Sequence, residues 1–163
     1  HRPRISGSRP FDAEGLATAS RDIVRDGVLM GWTLDLGTAR RLGLQSTANA
    51  TRGTSSPPSP SVTNIALTQG DKDREQLIAE MGTGLLVTSM IGASINPTTG
   101  DYSRGASGFW IEGGEIAYSV SEITLAGNLI DMFGRLVPAN DLDDRYSVSA
   151  PSVLIEGMTI AGQ

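Results

Sequence analysis

The sequence predicts a mainly β, α+β domain: an antiparallel or mixed, barrel-like or strongly curved sheet with two or three short peripheral helices. Three observations predict it. Twenty of the 163 residues are glycine, many of them between short apolar runs, where the chain needs positive φ to turn. The apolar runs themselves are short and rich in β-branched residues, which suits strands better than helices. Hydrophobic residues make up 39% and charged residues 19%, enough for a packed core in a chain of one-domain length.

In chain order, "RDIVRDGVLMGWTLD" (Arg21 to Asp35) reads as a hairpin, with Asp26-Gly27 as its tight turn. "LGTARRLGL" (Leu36 to Leu44) forms a short helix that Gly43 caps. Residues 46–62, "STANATRGTSSPPSPSV", have no hydrophobic period and predict an exposed Ser/Pro-rich loop. Thr63 to Gly70 follows as a strand. "DKDREQLIAEM" then predicts a helix with Asp71 as N-cap and Leu77, Ile78 and Met81 on one face. "GLLVTSMIG" (Gly84 to Gly92) reads as a buried strand.

The stretch from Ile95 to Val120, "INPTTGDYSRGASGFWIEGGEIAYSV", reads as a turn followed by a hairpin about Gly113-Gly114. Phe109, Ile111, Ile116 and Tyr118 supply its faces, with Trp110 opposite Phe109. A helix is expected over Ser121 to Leu136, because Leu125, Leu129, Met132 and Leu136 fall on one helical face. Asn140 to Ala150 is polar loop, and Pro151 to Gly162 a final hairpin-like pair broken at Glu156-Gly157. The whole chain, 1–163, reads as one domain of a longer protein, since it does not open with Met.

Composition excludes several chemistries. There is no cysteine and one histidine, His1. Neither a Ser-His-Asp triad nor a multi-histidine or cysteine zinc site can be assembled from this chain alone. The net charge is −5 with no clustering of basic residues, which disfavours a nucleic-acid interface. No apolar run reaches membrane-spanning length, so no membrane partner is expected, and the cytoplasm is the expected compartment.

Candidate sites are few. Gly100, Gly105 and Gly108 in "GDYSRGASG" could cradle a phosphate, but the Gly-Lys-Ser/Thr ending of such loops is missing and a strand is expected to follow. Ser107 lacks a base to activate it. Carboxylates gather at Asp12 and Glu14 and at Asp141, Asp143 and Asp144. Paired acids can do acid–base work or bind a hard cation, but these read as solvated loop acids.

The run "NPTTGDYSRGASGFWIEGGEIAYSVSEITLAGNLIDMF" closely resembles the C-terminal region of the TldD/PmbA family, also known as modulators of DNA gyrase. "HRPRISGSRPFDAEG", "SPPSPSVTNIAL" and "PSVLIEGMTIAG" agree with it in order, so the likeness covers nearly the whole chain. Within the family the chain resembles the PmbA (TldE) side. The TldD side carries a His-Glu-x-x-x-His helix upstream and a C-terminal cysteine, and this chain runs through "LDDRYSVSAPSVL" without one.

The resemblance implies a non-catalytic C-terminal domain in a TldD–PmbA metalloprotease assembly that processes or degrades unstructured peptides. It implies no catalytic residue, cofactor or metal in this chain, with zinc held by a TldD-type partner. A TldD-like subunit, a homodimer, or both are the implied partners, and an unfolded peptide the implied substrate. Two alternatives stand beside it: the C-terminal half of an intact zinc metallopeptidase, and a binding module acting on DNA gyrase. Asn96, Thr99, Asp101, Gly105 and Ser107 are the expected peptide-channel or interface residues, because they sit in the most motif-like turn. Were Gly105 at positive φ, a Val there would damage folding, whereas Asp101→Ala should spare it.

Overall fold

The structure, a computed structural model, describes residues 7–162. In chain order its elements are β1 (Val24–Arg25), β2 (Val28–Leu29), α1 (Leu36–Leu42), β3 (Ala50–Thr51), β4 (Ser59–Pro60), β5 (Ile65–Ala66), α2 (Arg74–Met81) and β6 (Gly84–Ile95). There follow β7 (Asp101–Glu112), β8 (Glu115–Asn128), α3 (Leu129–Gly134), β9 (Leu136–Pro138), β10 (Val148–Ser149), β11 (Val153–Ile155) and β12 (Thr159–Ala161). The chain forms two compact units. Among the described residues, the first comprises 7–67 together with Asp143–Ala150; the second is Thr68–Leu142 with 151–162.

The first unit is built from very short ladders. β1 and β2 form the expected hairpin, with Asp26 and Gly27 at φ 49 and 77 in its turn, the backbone that Asp-Gly favours. α1 also forms as expected: Gly43 ends it in the left-handed region at φ 67, and the Asp35 side chain accepts from the Thr38 N–H at its start. The Ser/Pro-rich segment is not loop throughout. β3 pairs antiparallel with β4, so 46–62 contains a hairpin; residues 52–57 are exposed, as are 59, 60 and 62. The strand expected over Thr63 to Gly70 shrinks to β5, which pairs parallel with β10, itself inside the expected loop. Leu34, Ala39 and Ala50 are buried here.

The second unit is organised by a four-stranded antiparallel sheet in the order β12-β8-β7-β6. Of the two expected forms, barrel-like or strongly curved, the barrel is not formed: among the described residues the sheet is open, ending at β6 on one side and β12 on the other. β7 and β8 turn through Gly113 and Gly114, both at positive φ, as the Gly-Gly pair predicts. The strands run further than the residue pattern predicts. Residues 101–108, expected as turn, belong to β7, and 121–128, expected as helix, belong to β8. Ile123 and Leu125 are buried while Thr124 between them is exposed, a period of two that leaves only Leu129–Gly134 helical.

Other expectations also shift. β6 is an edge strand, half-buried over its first residues and exposed over Thr88 to Gly92, not a buried one. β11 and β12 do not pair with each other; β11 pairs with β9 and β12 with β8. α2 is capped by Asp73, not Asp71: its carboxylate accepts from the Gln76 N–H at 2.7 Å, and the Gln76 side chain accepts from the Asp73 N–H at 2.9 Å. The predicted apolar face is the inward one, with Leu77 buried and Ile78 and Met81 partly so.

Two glycines fix close approaches. A Cβ on Gly108 would stand 1.9 Å from the Leu86 carbonyl oxygen, so β6 and β7 pair closely only because that atom is missing. At Gly114, φ is 80, and a Cβ would meet Ala79 Cα at 2.9 Å. The Gly114 N–H also donates to the Gly82 carbonyl at 2.8 Å, which ties the hairpin tip to the end of α2.

Candidate functional site

Asn96, Thr99 and Asp101 come together at the β6–β7 turn. The Asn96 side-chain oxygen accepts from the backbone N–H groups of Thr98 and Thr99 at 3.0 and 3.3 Å, an Asx turn that the Asn-Pro start predicts. The Thr99 hydroxyl donates to the Asp101 carboxylate at 2.6 Å. Gly100 sits at φ 82. Asn128, from the end of β8, closes the assembly: its amide donates to the Thr99 carbonyl at 3.0 Å, and its oxygen caps α3 by accepting from the Ile130 N–H. Sequence reasoning missed Asn128; as an Asn ahead of the apolar "LIDMF" run it carried an N-cap signal.

Gly105 and Ser107 are not in this turn. They lie in the body of β7, four and six residues beyond Asp101, roughly 13 and 20 Å along an extended strand. Gly105 has ordinary extended backbone, not positive φ. It pairs with Ile91 and Thr124, and Ser107 with Ser89.

Of the loop carboxylates, Asp12, Glu14, Asp141 and Asp143 are engaged with backbone N–H groups, a hydroxyl or a neighbouring cation. Asp12 accepts from Glu14 and Leu16 N–H groups at 2.9 Å each and from Ala50 N–H at 3.1 Å. Partial burial pushes its pKa up, but the three N–H donors outweigh that and leave it lowered. Glu14 accepts from Leu36 N–H at 2.8 Å. Asp141 binds both the N–H and the hydroxyl of Ser152 at 2.7 Å, which lowers its pKa. Asp143 forms a forked ion pair with Arg145, which lowers its pKa to about 2.

Zinc does not fit this donor set. The chain has no cysteine, its one histidine, His1, lies outside the described residues, and among the described residues no three His, Cys, Asp or Glu come close enough to hold a metal ion. No helix among the described residues is long and apolar enough to cross a membrane.

The second unit carries an apolar cavity of about 540 Å³, within the range of ligand-binding clefts. α2 contributes Leu77, Ile78 and Met81, and β6 contributes Leu85, Val87 and Met90. Leu125, Met132, Leu154 and Met158 line it further, so four of the chain's five methionines face one space. Methionine side chains re-pack readily around different apolar partners. The cavity borders β6, whose outer edge pairs with no strand among the described residues, and β11, which pairs with β9 alone. An extended chain laid there would meet unpaired backbone groups on β6 and an adaptable apolar surface beside them.

Comparison with known proteins places these features in context. Residues 1–162 match the model of the PmbA/TldA metallopeptidase C-terminal domain. The metalloprotease PmbA of Escherichia coli O157:H7 is 47% identical over 157 residues, covering 96% of this chain and 33% of that protein. A Thermotoga maritima protein, a candidate modulator of a DNA gyrase, superposes with a TM-score of 0.83 at 36% identity, over 99% of this chain and 37% of its own. TldE from Thermococcus kodakarensis superposes with a TM-score of 0.84 at 25% identity, over 94% of this chain and 36% of its own. The chain thus spans about a third of the length of the curated relatives it matches.

Proposed function

The chain belongs to the PmbA/TldD family as a metallopeptidase C-terminal domain, and from that membership we propose that it is the peptide-handling, non-catalytic domain of a PmbA/TldE-like subunit. In this reading a TldD-type partner holds the zinc and performs the cleavage. This domain receives an unstructured peptide as an added strand along β6, with apolar side chains settling into the methionine-lined cavity. The observation that carries the reading is the β6 edge, unpaired among the described residues, beside that cavity. Main-chain pairing gives affinity with little sequence preference, which suits a substrate without fixed structure. Asn96, Thr99 and Asp101 shape one end of β6 and serve as the wall of that path; Gly105 and Ser107 lie on the neighbouring strand.

The test uses the full-length protein, with and without a TldD-type partner, against an unfolded casein substrate in the presence of zinc. Cleavage is expected only with the partner. It is expected to weaken when Val87→Asp places a charge at the cavity wall, while stably folded control substrates stay uncut. Zinc-dependent cleavage by the lone subunit would replace this reading with that of an intact metallopeptidase.

A further inference from the structure

The sheet of the second unit has another open edge, and its chemistry differs from that of β6. β12 covers only residues 124–126 of β8. From Glu115 to Ser121 the outer edge of β8 pairs with no strand among the described residues. Apolar side chains stand along it: Ile116 is 57% exposed and Tyr118 54% exposed. Cross-strand partners share a face, so Ile116 sides with Ile111 and Tyr118 with Trp110. The irregularity between those pairs puts apolar surface on both faces of the edge, where strict alternation would have put it on one.

Its charge is of one sign. From Gly105 to Gly134 the sequence contains four acids, Glu112, Glu115, Glu122 and Asp131, and no Lys or Arg. Glu115 and Glu122 bracket the open edge and both are exposed. Glu112 lies directly across from Glu115. Natural edges are commonly guarded by charge against pairing with their own copies. β8 is irregular within this edge, with one register shift between Ile116 and Tyr118 and another about Glu122, which sits at φ 57; the two acids of one copy would still meet the same two acids of a second copy laid against it. Like charges brought together across a ladder are unfavourable, which disfavours a second copy as the occupant.

We propose that the Glu115–Ser121 edge of β8 is a docking site for an extended segment of a different protein chain, apolar at its centre and flanked by Lys or Arg. The charge bracket admits that partner and rejects self-pairing, so one pair of residues supplies both attraction and exclusion. The site is separate from the β6 edge and does not depend on the peptide-handling reading.

Full-length protein is titrated into two fluorescein-labelled probes, each a heptapeptide of alternating valine and threonine, one with lysine flanks and one with glutamate flanks. Anisotropy should show the lysine-flanked probe binding about tenfold more tightly, the scale of two cross-strand charge pairs. Glu115→Lys/Glu122→Lys should invert the preference. Glu115→Lys alone should make the edge self-complementary, because each copy then carries one lysine and one glutamate on it. That variant should rise in molecular mass in sedimentation as concentration rises. Binding of neither probe, equal binding of both, or a lysine preference that survives the double substitution would each overturn the proposal.

Discussion

Gly105 and Gly108 lie three residues apart on one strand, and the structure gives them opposite weight. At Gly105 a Cβ would meet the Ile91 carbonyl oxygen at 3.4 Å and its Cβ at 3.7 Å, ordinary contacts at ordinary φ. At Gly108 it would overlap the Leu86 carbonyl. Gly105→Ala should therefore change stability by less than about 1 kcal/mol, and Gly108→Ala should cost about 2–3 kcal/mol or more through forced strand separation. Urea midpoints of the full-length variants separate the two. Neither role is legible in "SRGASG", because a clash is set by what lies across the ladder. The loop acids divide in the same way. Asp143 titrates at about 2, against an ordinary 3.8, because Arg145 and a backbone N–H bond its charged form. A depressed carboxyl stabilises the fold above its unfolded pKa, so this contribution is complete above about pH 4 and is lost as pH falls through about 2. Carboxyl NMR titration should show Arg145→Ala returning Asp143 toward 3.8.

Among the elements, turns are the most legible and register the least. Asp26-Gly27, Gly113-Gly114 and the Asn96-Pro97 start all turn the chain where expected, since each depends on local backbone preference alone. The helix expected over Ser121 to Leu136 is mostly β8 because two periods coexist there. The leucines at 125 and 129 satisfy a helix, while Ile123, Thr124 and Leu125 satisfy a strand, and pairing with β7 decides. β5 and β10 are beyond reach: each is two residues long, and the partners are far apart in sequence. In α2 the signal is present but belongs to a different residue. Asp73 followed by Gln76 is a capping box, whereas Asp71 lies outside the helix. Asp73→Ala should lower stability by about 1 kcal/mol, and Asp71→Ala by far less. Equal losses from the two in thermal unfolding of the full-length protein would show that the helix begins earlier than the cap geometry indicates.

For the molecule as a whole, the long central motif is the legible feature, and it points to the PmbA/TldD family that the residue-by-residue chemistry only circumscribes. Closure is not legible. A mainly β pattern is compatible with a barrel or an open sheet, and the difference lies in whether β6 and β12 meet, which no local residue encodes. The candidate site is likewise distributed: its cavity gathers side chains from α2, β6, β8, α3, β11 and β12, far apart in the chain. That distribution has a dynamic consequence. In the second unit β7 is paired along its length on both sides, by β6 and by β8, so its amides can exchange only when a long ladder opens. The first unit is held by ladders two residues long, which open with far less loss. Hydrogen exchange on the full-length protein should show the slowest amides in β7, between Tyr102 and Ile111. Those of β1 to β5 should exchange faster by at least about two orders of magnitude, a gap of roughly 2.7 kcal/mol in opening free energy. The β6 edge should exchange faster than β7 when free and slow on binding an extended peptide. Protection of β1 to β5 equal to that of β7 would contradict this ordering, and a β6 edge indifferent to peptide would remove the physical basis for capture there.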